Sequence, residues 1–385
     1  MFEFKIKYRC KRTKARIGEF ITPHGIIKTP CFMPVGTKGS VKTLDPNDLN
    51  LLDANIILAN TYHLELRPGS ELIKKMGGLH KWINWDKPML TDSGGYQVFS
   101  LGQKKERFKN QEKLVKITEE GVHFRSIIDG SKLFFTPEKV MEIQQNLGAD
   151  IIMAFDECAP HDSSREYAEK AMIRTHNWLN RCIAYKEEKG SKEQALFGII
   201  QGCMYEDLRI KSAKFIAEKN LPGIAIGGLS VGEGQAEMLR VLDQINPFFP
   251  DSKVRYLMGV GDPLDLLEVV KRGVDIFDCV LPTRLARHGT MLNESGYVNL
   301  LNNKFLDDKT PLSENTKNPV HHYSKSYIRH LIKENEITGL RILTINNIFY
   351  LFDLLEKYKE AIKNDETEEF IMEYKVKTKK IGFNN

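Results

Sequence analysis

The chain has 385 residues, 41% of them hydrophobic, so it is long enough for one large barrel domain or for two domains of ordinary size. Its formal net charge of +5 is small for this length and is compatible with a nucleic-acid partner without requiring one. No apolar run is long enough to span a bilayer and the first residues form no apolar signal segment, so we expect a soluble cytoplasmic protein without a membrane partner.

Short apolar segments alternate with amphipathic stretches between about residues 85 and 290, which is typical of βα units around a parallel sheet. One unit is well marked: Thr136 and Pro137 begin a predicted helix, Gly148 ends it, and a strand follows over 149–155. The same signals predict a helix from Asp262 to Gly273 and strands over 195–201, 223–227, 254–258 and 274–281.

Polar residues finish several of these strands. They are Asp92, Asp156, Gln201 and Asp278. A (β/α)8 barrel and a doubly wound sheet both fit the number of βα units. The barrel, an α/β fold, is favoured because the carboxyl ends of its strands converge on one face, where barrel enzymes carry their chemistry.

The character of the chain changes after about residue 300. A polar stretch over 302–318 is followed by helical patterns over 323–336 and 345–364, the second with an apolar face for packing. We therefore predict a catalytic barrel over 1–300, with an N-terminal elaboration and an extended loop near 102–116. A helical subdomain over 301–385 is expected to pack on this barrel.

Asp92 begins the segment Asp92-Ser-Gly-Gly-Tyr96, where a strand-like run breaks. Two glycines allow a ligand to approach the backbone closely, and the Tyr96 ring could stack on a planar base. A tight turn in which Asp92 caps a helix explains the same residues without a ligand.

Asp278 lies within an apolar run, so it is either buried at a cost or held at a strand end for use. The basic segment that follows could contact phosphates, and an ion pair from Asp278 to Arg284 or Arg287 is an equally good structural explanation. Two carboxylates at one site would suit substitution at the anomeric carbon of a sugar. One would attack that carbon and the other would move protons, without a metal.

Six segments resemble the bacterial tRNA-guanine transglycosylases of queuosine biosynthesis, in the order that family has them. They cover residues 91–100, 153–158, 198–202, 227–233, 256–261 and 277–284. The resemblance implies a (β/α)8 barrel and a pentosyltransferase that replaces guanine at the anticodon wobble position with 7-aminomethyl-7-deazaguanine. It also implies three partners: such a tRNA, the free deazaguanine base and a second copy of the chain in a homodimer.

The resemblance also assigns roles to residues. Asp278 would be the nucleophile that forms a covalent ribosyl-enzyme intermediate, and Asp92 the proton acceptor and donor. The residues expected to bind the base are Asp92, Ser93, Gly94, Gly95, Tyr96, Asp156, Gln201, Gly228, Leu229 and Met258, with Tyr96 and Met258 on the two faces of its ring and Glu233 supporting the Gly228–Leu229 loop. The residues expected to bind RNA are Gly259, Val260, Gly261, Asp262, Pro263, Leu264, Asp265, Thr283, Arg284, Leu285, Ala286 and Arg287.

Cys158 and Val231 match the bacterial form of the family, which favours the aminomethyl base over the bulkier queuine. Three alternatives stay open at this point. They are a catalytically silent RNA-binding paralog, exchange with queuine, and exchange on DNA.

The chain departs from the family where its members bind structural zinc through Cys-x-Cys-x-x-Cys and a later histidine. The aligned segment runs from Asn315 to Val320, Asn346 stands in place of the histidine, and no cysteine follows Cys279. A closed site of this kind needs thiolate ligands. We therefore predict no metal and no cofactor, with the zinc site degenerate.

Overall fold

The computed structural model describes residues 2–96, 115–126 and 128–379. The extended loop predicted near 102–116 lies outside the described residues except for its last two. Within the described ranges, no helix is both long enough and apolar enough to cross a membrane.

An antiparallel sheet comes first in the chain. Its strands are β1 (Glu3–Arg9), β2 (Arg16–Thr22) and β3 (Gly25–Thr29), paired in that order. Phe4, Phe20 and Ile27 are buried in one cluster with side chains from the barrel interior. The ring of Phe20 meets that of Phe197 edge-on, with centroids 5.9 Å apart. The sheet thereby closes the end of the barrel at which the strands begin.

Eight parallel strands form a closed barrel. The first three are β4 (Cys31–Gly36), β5 (Ile57–Asn60) and β6 (Met89–Asp92), and after them comes a separate antiparallel sheet of β7 (Val115–Ile117), β8 (Val122–Arg125) and β9 (Lys132–Phe135). The other five are β10 (Ile151–Met153), β11 (Ala195–Ile200), β12 (Gly223–Ile226), β13 (Val254–Leu257) and β14 (Ile276–Cys279), and β14 pairs with β4 to close the barrel. This confirms the predicted (β/α)8 barrel and excludes the doubly wound sheet.

The barrel strands read as continuous apolar runs because helices cover their outer faces and side chains fill the interior. All six residues of β11 and all four of β12 are buried. The strands are nevertheless shorter than predicted, most clearly β10. Asp150 directly precedes β10, and its carboxylate accepts a hydrogen bond from the Met89 backbone N–H at 2.9 Å at the end where the barrel strands begin.

Ten α-helices lie between β4 and β15 in the described ranges, and a side chain caps the N-terminus of five of them. The ten helices are α1 (Pro46–Leu51), α2 (Thr61–Leu66), α3 (Ser70–Lys75), α4 (Gly78–Ile83), α5 (Pro137–Leu147), α6 (Arg165–Lys189), α7 (Glu206–Ala217), α8 (Gln235–Ile245), α9 (Pro263–Lys271) and α10 (Leu281–Arg287). The α5 boundaries are as predicted: the Thr136 hydroxyl accepts from the Lys139 N–H, and Gly148 ends the helix with φ +75°.

A hairpin and three helices complete the chain. They are β15 (Thr290–Asn293), β16 (Gly296–Asn299), α11 (Lys325–Lys333), α12 (Ile337–Lys363) and α13 (Thr367–Lys379). α12 begins eight residues before the predicted start at 345, because Leu340 and Leu343 continue its apolar face and Gly339 lets it cross α11 closely. α12 packs against α10 and β4, beside the barrel. The division into two domains at residue 300 stays a prediction.

Candidate active site

A cavity of about 390 Å³ opens at the carboxyl ends of the barrel strands. Both predicted catalytic aspartates and all ten predicted base-binding residues line it. These are Asp92, Ser93, Gly94, Gly95, Tyr96, Asp156, Gln201, Gly228, Leu229, Met258 and Asp278. Residues from six different strand ends thus face one space, which is the usual arrangement of a barrel enzyme's site.

Asp92, the last residue of β6, is held by neighbouring polar groups. Its Oδ2 accepts from the Asn60 side-chain amide at 2.5 Å, and its Oδ1 accepts from the backbone N–H groups of Thr61 at 3.2 Å and Gly94 at 3.2 Å. Burial raises the pKa of Asp92 from 3.8 to about 7, and the nearby charge of Asp278 adds to the rise. Asp92 does accept bonds from the Ser-Gly-Gly turn and from the start of α2, but it also faces the cavity.

Asp278 lies in β14, and its Oδ1 accepts two hydrogen bonds. The Tyr256 hydroxyl donates at 2.6 Å and the Gly259 N–H at 3.1 Å. Burial raises the pKa of Asp278, while the Tyr256 hydroxyl acts to lower it. Within the described ranges, no ion pair joins Asp278 to Arg284 or Arg287, so the purely structural explanation of this aspartate is not what the fold uses.

Asp156, which follows β10, lies deep in the cavity. Its Oδ2 accepts from the Gln201 side-chain amide at 2.9 Å, and its Oδ1 accepts from the Ser93 hydroxyl at 3.1 Å. Burial raises the pKa of Asp156 from 3.8 to about 6. A Cβ on Gly95 would come within 2.1 Å of Asp156 Oδ1, so the glycine allows this close approach.

The backbone after β12 forms the part of the cavity wall next to Gln201. Gly228 has φ +63°, and a Cβ there would lie 2.5 Å from Gln201 Oε1. The Glu233 carboxylate accepts hydrogen bonds from the Ser230 N–H and from the Val231 N–H at 2.9 Å, which fixes the loop that follows. The resemblance implies that Glu233 supports the Gly228–Leu229 loop, and this role in base binding stays a prediction.

The residues predicted to bind RNA lie on two segments beside the cavity. Gly259 and Arg284 line the cavity itself and are exposed. Asp262 caps α9 by accepting from the Leu264 and Asp265 N–H groups. The members whose side chains are buried are Val260, Pro263, Thr283 and Ala286. RNA contact by these segments stays a prediction.

Sequence reasoning missed three residues that the structure brings to the site. Asn60 ends β5 and holds Asp92, Tyr256 holds Asp278, and Arg209 binds the backbone carbonyls behind Gly228. The rule that polar residues finish barrel strands identifies Asn60 once Ile57–Asn60 is recognised as a strand. Tyr256 and Arg209 give no such signal, because one lies within a strand and the other within a helix.

The residues at the family's zinc position have different chemistry. The Asn318 side-chain amide donates to Asn346 Oδ1 at 2.9 Å, Asn346 donates to the Leu292 carbonyl at 3.1 Å, and the Leu292 N–H donates to Asn347 Oδ1 at 2.8 Å. All three asparagines are buried. Neutral amides that are already paired do not suit zinc, which takes thiolate, imidazole and carboxylate ligands.

Elsewhere in the described ranges, three possible metal ligands converge at one place only. They are His24, His80 and Asp150, at the opposite end of the barrel from the cavity. The two imidazole rings are stacked with centroids 3.6 Å apart and both contact the Asp150 carboxylate. Parallel rings this close cannot both direct an in-plane nitrogen lone pair at one ion, so a hydrogen-bonded cluster explains them better.

A comparison with known proteins agrees with this geometry. The sequence model of the family described as queuine tRNA-ribosyltransferase matches residues 10–380. The chain is 52% identical over 369 residues to the "Queuine tRNA-ribosyltransferase" of Desulforamulus reducens, covering 96% of both chains. It is 50% identical over 380 residues to that of Bacillus velezensis, covering 97% of this chain and 96% of the relative. The chain therefore belongs to the queuine tRNA-ribosyltransferase family.

Proposed function

We propose that this protein is a tRNA-guanine transglycosylase, a pentosyltransferase of queuosine biosynthesis that exchanges guanine at the anticodon wobble position of tRNA. The observation that carries the proposal is the pair Asp92 and Asp278, which face one cavity together with a set of polar groups suited to a purine edge. The names of relatives about half identical to this chain support it.

The chemistry follows from the environment of the two aspartates. The Asp278 carboxylate attacks C1′ of the target ribose while the glycosidic bond breaks, and its Oδ1 is held by Tyr256 and Gly259 during the attack. The departing guanine keeps the bond electrons and takes a proton from Asp92. The result is a ribosyl ester on Asp278, which splits one difficult exchange into two easier steps.

The second step reverses the first with a different base. The free base gives its proton to Asp92 and its nitrogen attacks C1′, which releases the Asp278 carboxylate. A pKa of about 7 suits Asp92 for both transfers, because the protonated and ionised forms are both populated near neutral pH.

Recognition of the base uses the strand ends next to that of β6, namely those of β10, β11 and β12. Asp156 and Gln201 present acceptor and amide groups that hold each other in place at 2.9 Å. The Gly228–Leu229 backbone offers amides beside them, while Tyr96 and Met258 line the cavity where they could cover the ring faces. Arg284 and Gly259 at the mouth suit contact with the RNA backbone.

We infer that the incoming base is 7-aminomethyl-7-deazaguanine. Cys158 and Val231 line the cavity at the positions where they match the bacterial form. Exchange with queuine or on DNA are the alternatives, and a silent RNA-binding paralog is opposed by the complete set of catalytic side chains. We also expect a cytoplasmic homodimer, as the resemblance implies.

A base-exchange assay tests this function. The purified protein is incubated with labelled guanine and either tRNA or duplex DNA, and then with unlabelled 7-aminomethyl-7-deazaguanine or queuine as competing base. We expect label to enter tRNA alone and the aminomethyl base to displace it most efficiently. A denaturing gel should show a covalent protein–RNA adduct. Repeated absence of both adduct and exchange would instead support a silent paralog.

We also propose that the protein holds no structural zinc, because buried amides link Asn318 to α12 and the β15 hairpin where the family has a metal. Elemental analysis of purified protein checks this, and we expect less than about one zinc per ten chains. The unfolding temperature should be unchanged by a chelator. About one tightly held zinc per chain would refute the proposal.

A further inference from the structure

Arg209 is a buried cation that contacts no carboxylate. It lies on α7 and is 0% exposed. Its Nε donates to the Cys203 carbonyl at 2.6 Å, its Nη1 donates to those of Ile200 at 3.2 Å and Gly227 at 2.7 Å, and its Nη2 donates to that of Gly228 at 2.9 Å. Throughout the part of the chain that the structure describes, no carboxylate lies within ion-pair distance of it.

A cation in this position is expensive to bury, and burial lowers the pKa of Arg209 from 12.5 to about 10. It therefore stays protonated near neutral pH. An apolar side chain at this position of α7 could be buried without the cost of burying a charge. The four carbonyls belong to the ends of β11 and β12 and the turns after them, so the guanidinium ties two neighbouring strand ends together.

The hydrogen bonds also fix the direction of two peptide groups. In a trans peptide the C=O and the following N–H point in opposite directions, and neither peptide here is cis. The carbonyls of Gly227 and Gly228 point at Arg209, so the N–H groups of Gly228 and Leu229 point away from it. Gly227, Gly228 and Leu229 line the cavity on that other side. The Gly228 N–H lies beside the Cys158 thiol at the cavity wall.

We propose that Arg209 is a positioning residue for base recognition: its fork-shaped guanidinium orients the two peptide groups whose amides face the free base. This rests on the proposed base exchange, and it concerns how the base-reading wall is held. The planar guanidinium spans both strand ends with several donors in fixed directions, whereas a lysine ammonium would concentrate its donors at one point. A positive charge at this position is therefore not sufficient to orient both peptide groups. The planar, forked geometry of the guanidinium is needed.

The test separates base affinity from RNA affinity. In Arg209→Lys, we expect the KM for labelled guanine to rise about tenfold or more, equivalent to about 1.4 kcal/mol, while the KM for tRNA stays within about twofold. A matched control is Arg255→Lys, a buried arginine at the other end of the barrel that donates to the carbonyls of Gly273 and Phe249. The control should leave the guanine KM unchanged even if it lowers the unfolding temperature.

Arg209→Gln gives a second, neutral variant in case the lysine variant does not fold. An unchanged guanine KM in either folded variant would overturn the proposal, as would an equal rise in the Arg255→Lys control. Failure of both variants to fold would also overturn it, because Arg209 would then be needed by the barrel whatever the base. Absence of exchange in the unsubstituted protein would refute the proposed function instead, so the two failures are distinguishable.

Discussion

The two ends of the barrel hold buried charged groups in different ways. At the end where the strands begin, buried aspartates are paired with arginine or histidine, although the buried Lys253 donates only to carbonyls. Arg16 forms a two-point ion pair with Asp275, with N–O distances of 2.9 and 2.6 Å, and both side chains are at most 1% exposed. Asp150 contacts His24 Nδ1 at 2.8 Å and His80 Nε2 at 3.3 Å.

At the carboxyl end, the buried charged groups described in and behind the cavity wall have only neutral partners, whereas Glu157 outside that wall pairs with Arg174. Asp92, Asp156 and Asp278 accept bonds from amide, hydroxyl and backbone N–H groups, and Arg209 donates to carbonyls. Burial raises the pKa of all three aspartates for this reason. Pairing offsets the cost of burying two charges, whereas a carboxylate without a counterion stays available for a substrate. The end where the strands begin therefore serves folding, and the carboxyl end serves the chemistry.

The substitution Asp278→Asn gives the strongest test of this difference between the two ends of the barrel. The amide oxygen can still accept from Tyr256 and Gly259, so the shape is kept while the nucleophile is lost. We expect label incorporation to fall by at least about 10⁴-fold. Asp243→Asn, an exposed aspartate on α8, is the control and should keep full activity. An active Asp278→Asn protein would remove this residue from the mechanism.

The same variant tests the cost of an unpaired charge. A group with a raised folded pKa favours folding at low pH and loses that contribution as the pH rises through the folded pKa. Burial raises the pKa of Asp278 above 3.8, so its ionisation opposes folding at higher pH. As the pH rises above about 4, the unfolding temperature of Asp278→Asn should therefore increase relative to that of the unsubstituted protein. The reverse trend would contradict the comparison.

Asp92→Asn should have the next largest effect, a loss of about 10²–10⁴-fold in kcat/KM. Asp92 must be protonated to release the first base and its pKa is about 7, so activity should fall as the pH rises above that value. A pH–rate profile measures this fall. In the variant, whose side chain does not titrate, the alkaline decline should disappear. Its persistence would assign the decline to another group.

Tyr256→Phe should have a smaller effect, because the carboxylate stays and loses one hydrogen bond. The Tyr256 hydroxyl acts to lower the pKa of Asp278, so its removal should raise that pKa further. The acidic limb of the pH–rate profile should then shift to higher pH. At acidic pH we expect about a tenfold loss of activity, with less at alkaline pH. A uniform loss at every pH would indicate misplacement of Asp278 instead.

Asp275→Asn changes the end of the barrel where the strands begin and should leave catalytic activity unchanged. It leaves the buried Arg16 with only the exposed Asp251 carboxylate at 3.6 Å as a counterion, which should lower the free energy of unfolding by about 3–5 kcal/mol in denaturant titrations. Glu19→Gln, which breaks the exposed pair with Lys7, is the control and should change that free energy by less than about 1 kcal/mol. An altered guanine KM in folded Asp275→Asn would show that the two ends are coupled.

Much of the fold could be predicted from the sequence, and so could the polar residues at the carboxyl end of the barrel. Apolar runs that end in a polar residue gave the barrel and identified Asp92, Asp156, Gln201 and Asp278, because both patterns arise from burial along a single strand. Arg209 was missed because it sits among Glu206, Asp207 and Lys211 in a helix that reads as charged and solvated.

Contacts between distant parts of the chain account for what was missed. Whether Asp278 pairs with Arg284 or with Tyr256 depends on the register of β13 against β14, and local sequence does not specify that register. The early start of α12 likewise depends on the close crossing at Gly339, where a Cβ would lie 2.6 Å from the Leu331 side chain. The barrel's paired end was not predicted at all, because its partners are far apart along the chain, such as Arg16 and Asp275.

The buried asparagines around Asn346 have a consequence for the conditions under which this protein can work. Thiolates are lost to oxidants and zinc is lost to scavengers, and either loss unfolds a subdomain built on them. No cysteine follows Cys279, and amide hydrogen bonds from Asn318, Asn346 and Asn347 hold this part of the chain. The subdomain should therefore keep its shape through zinc starvation and oxidative stress alike.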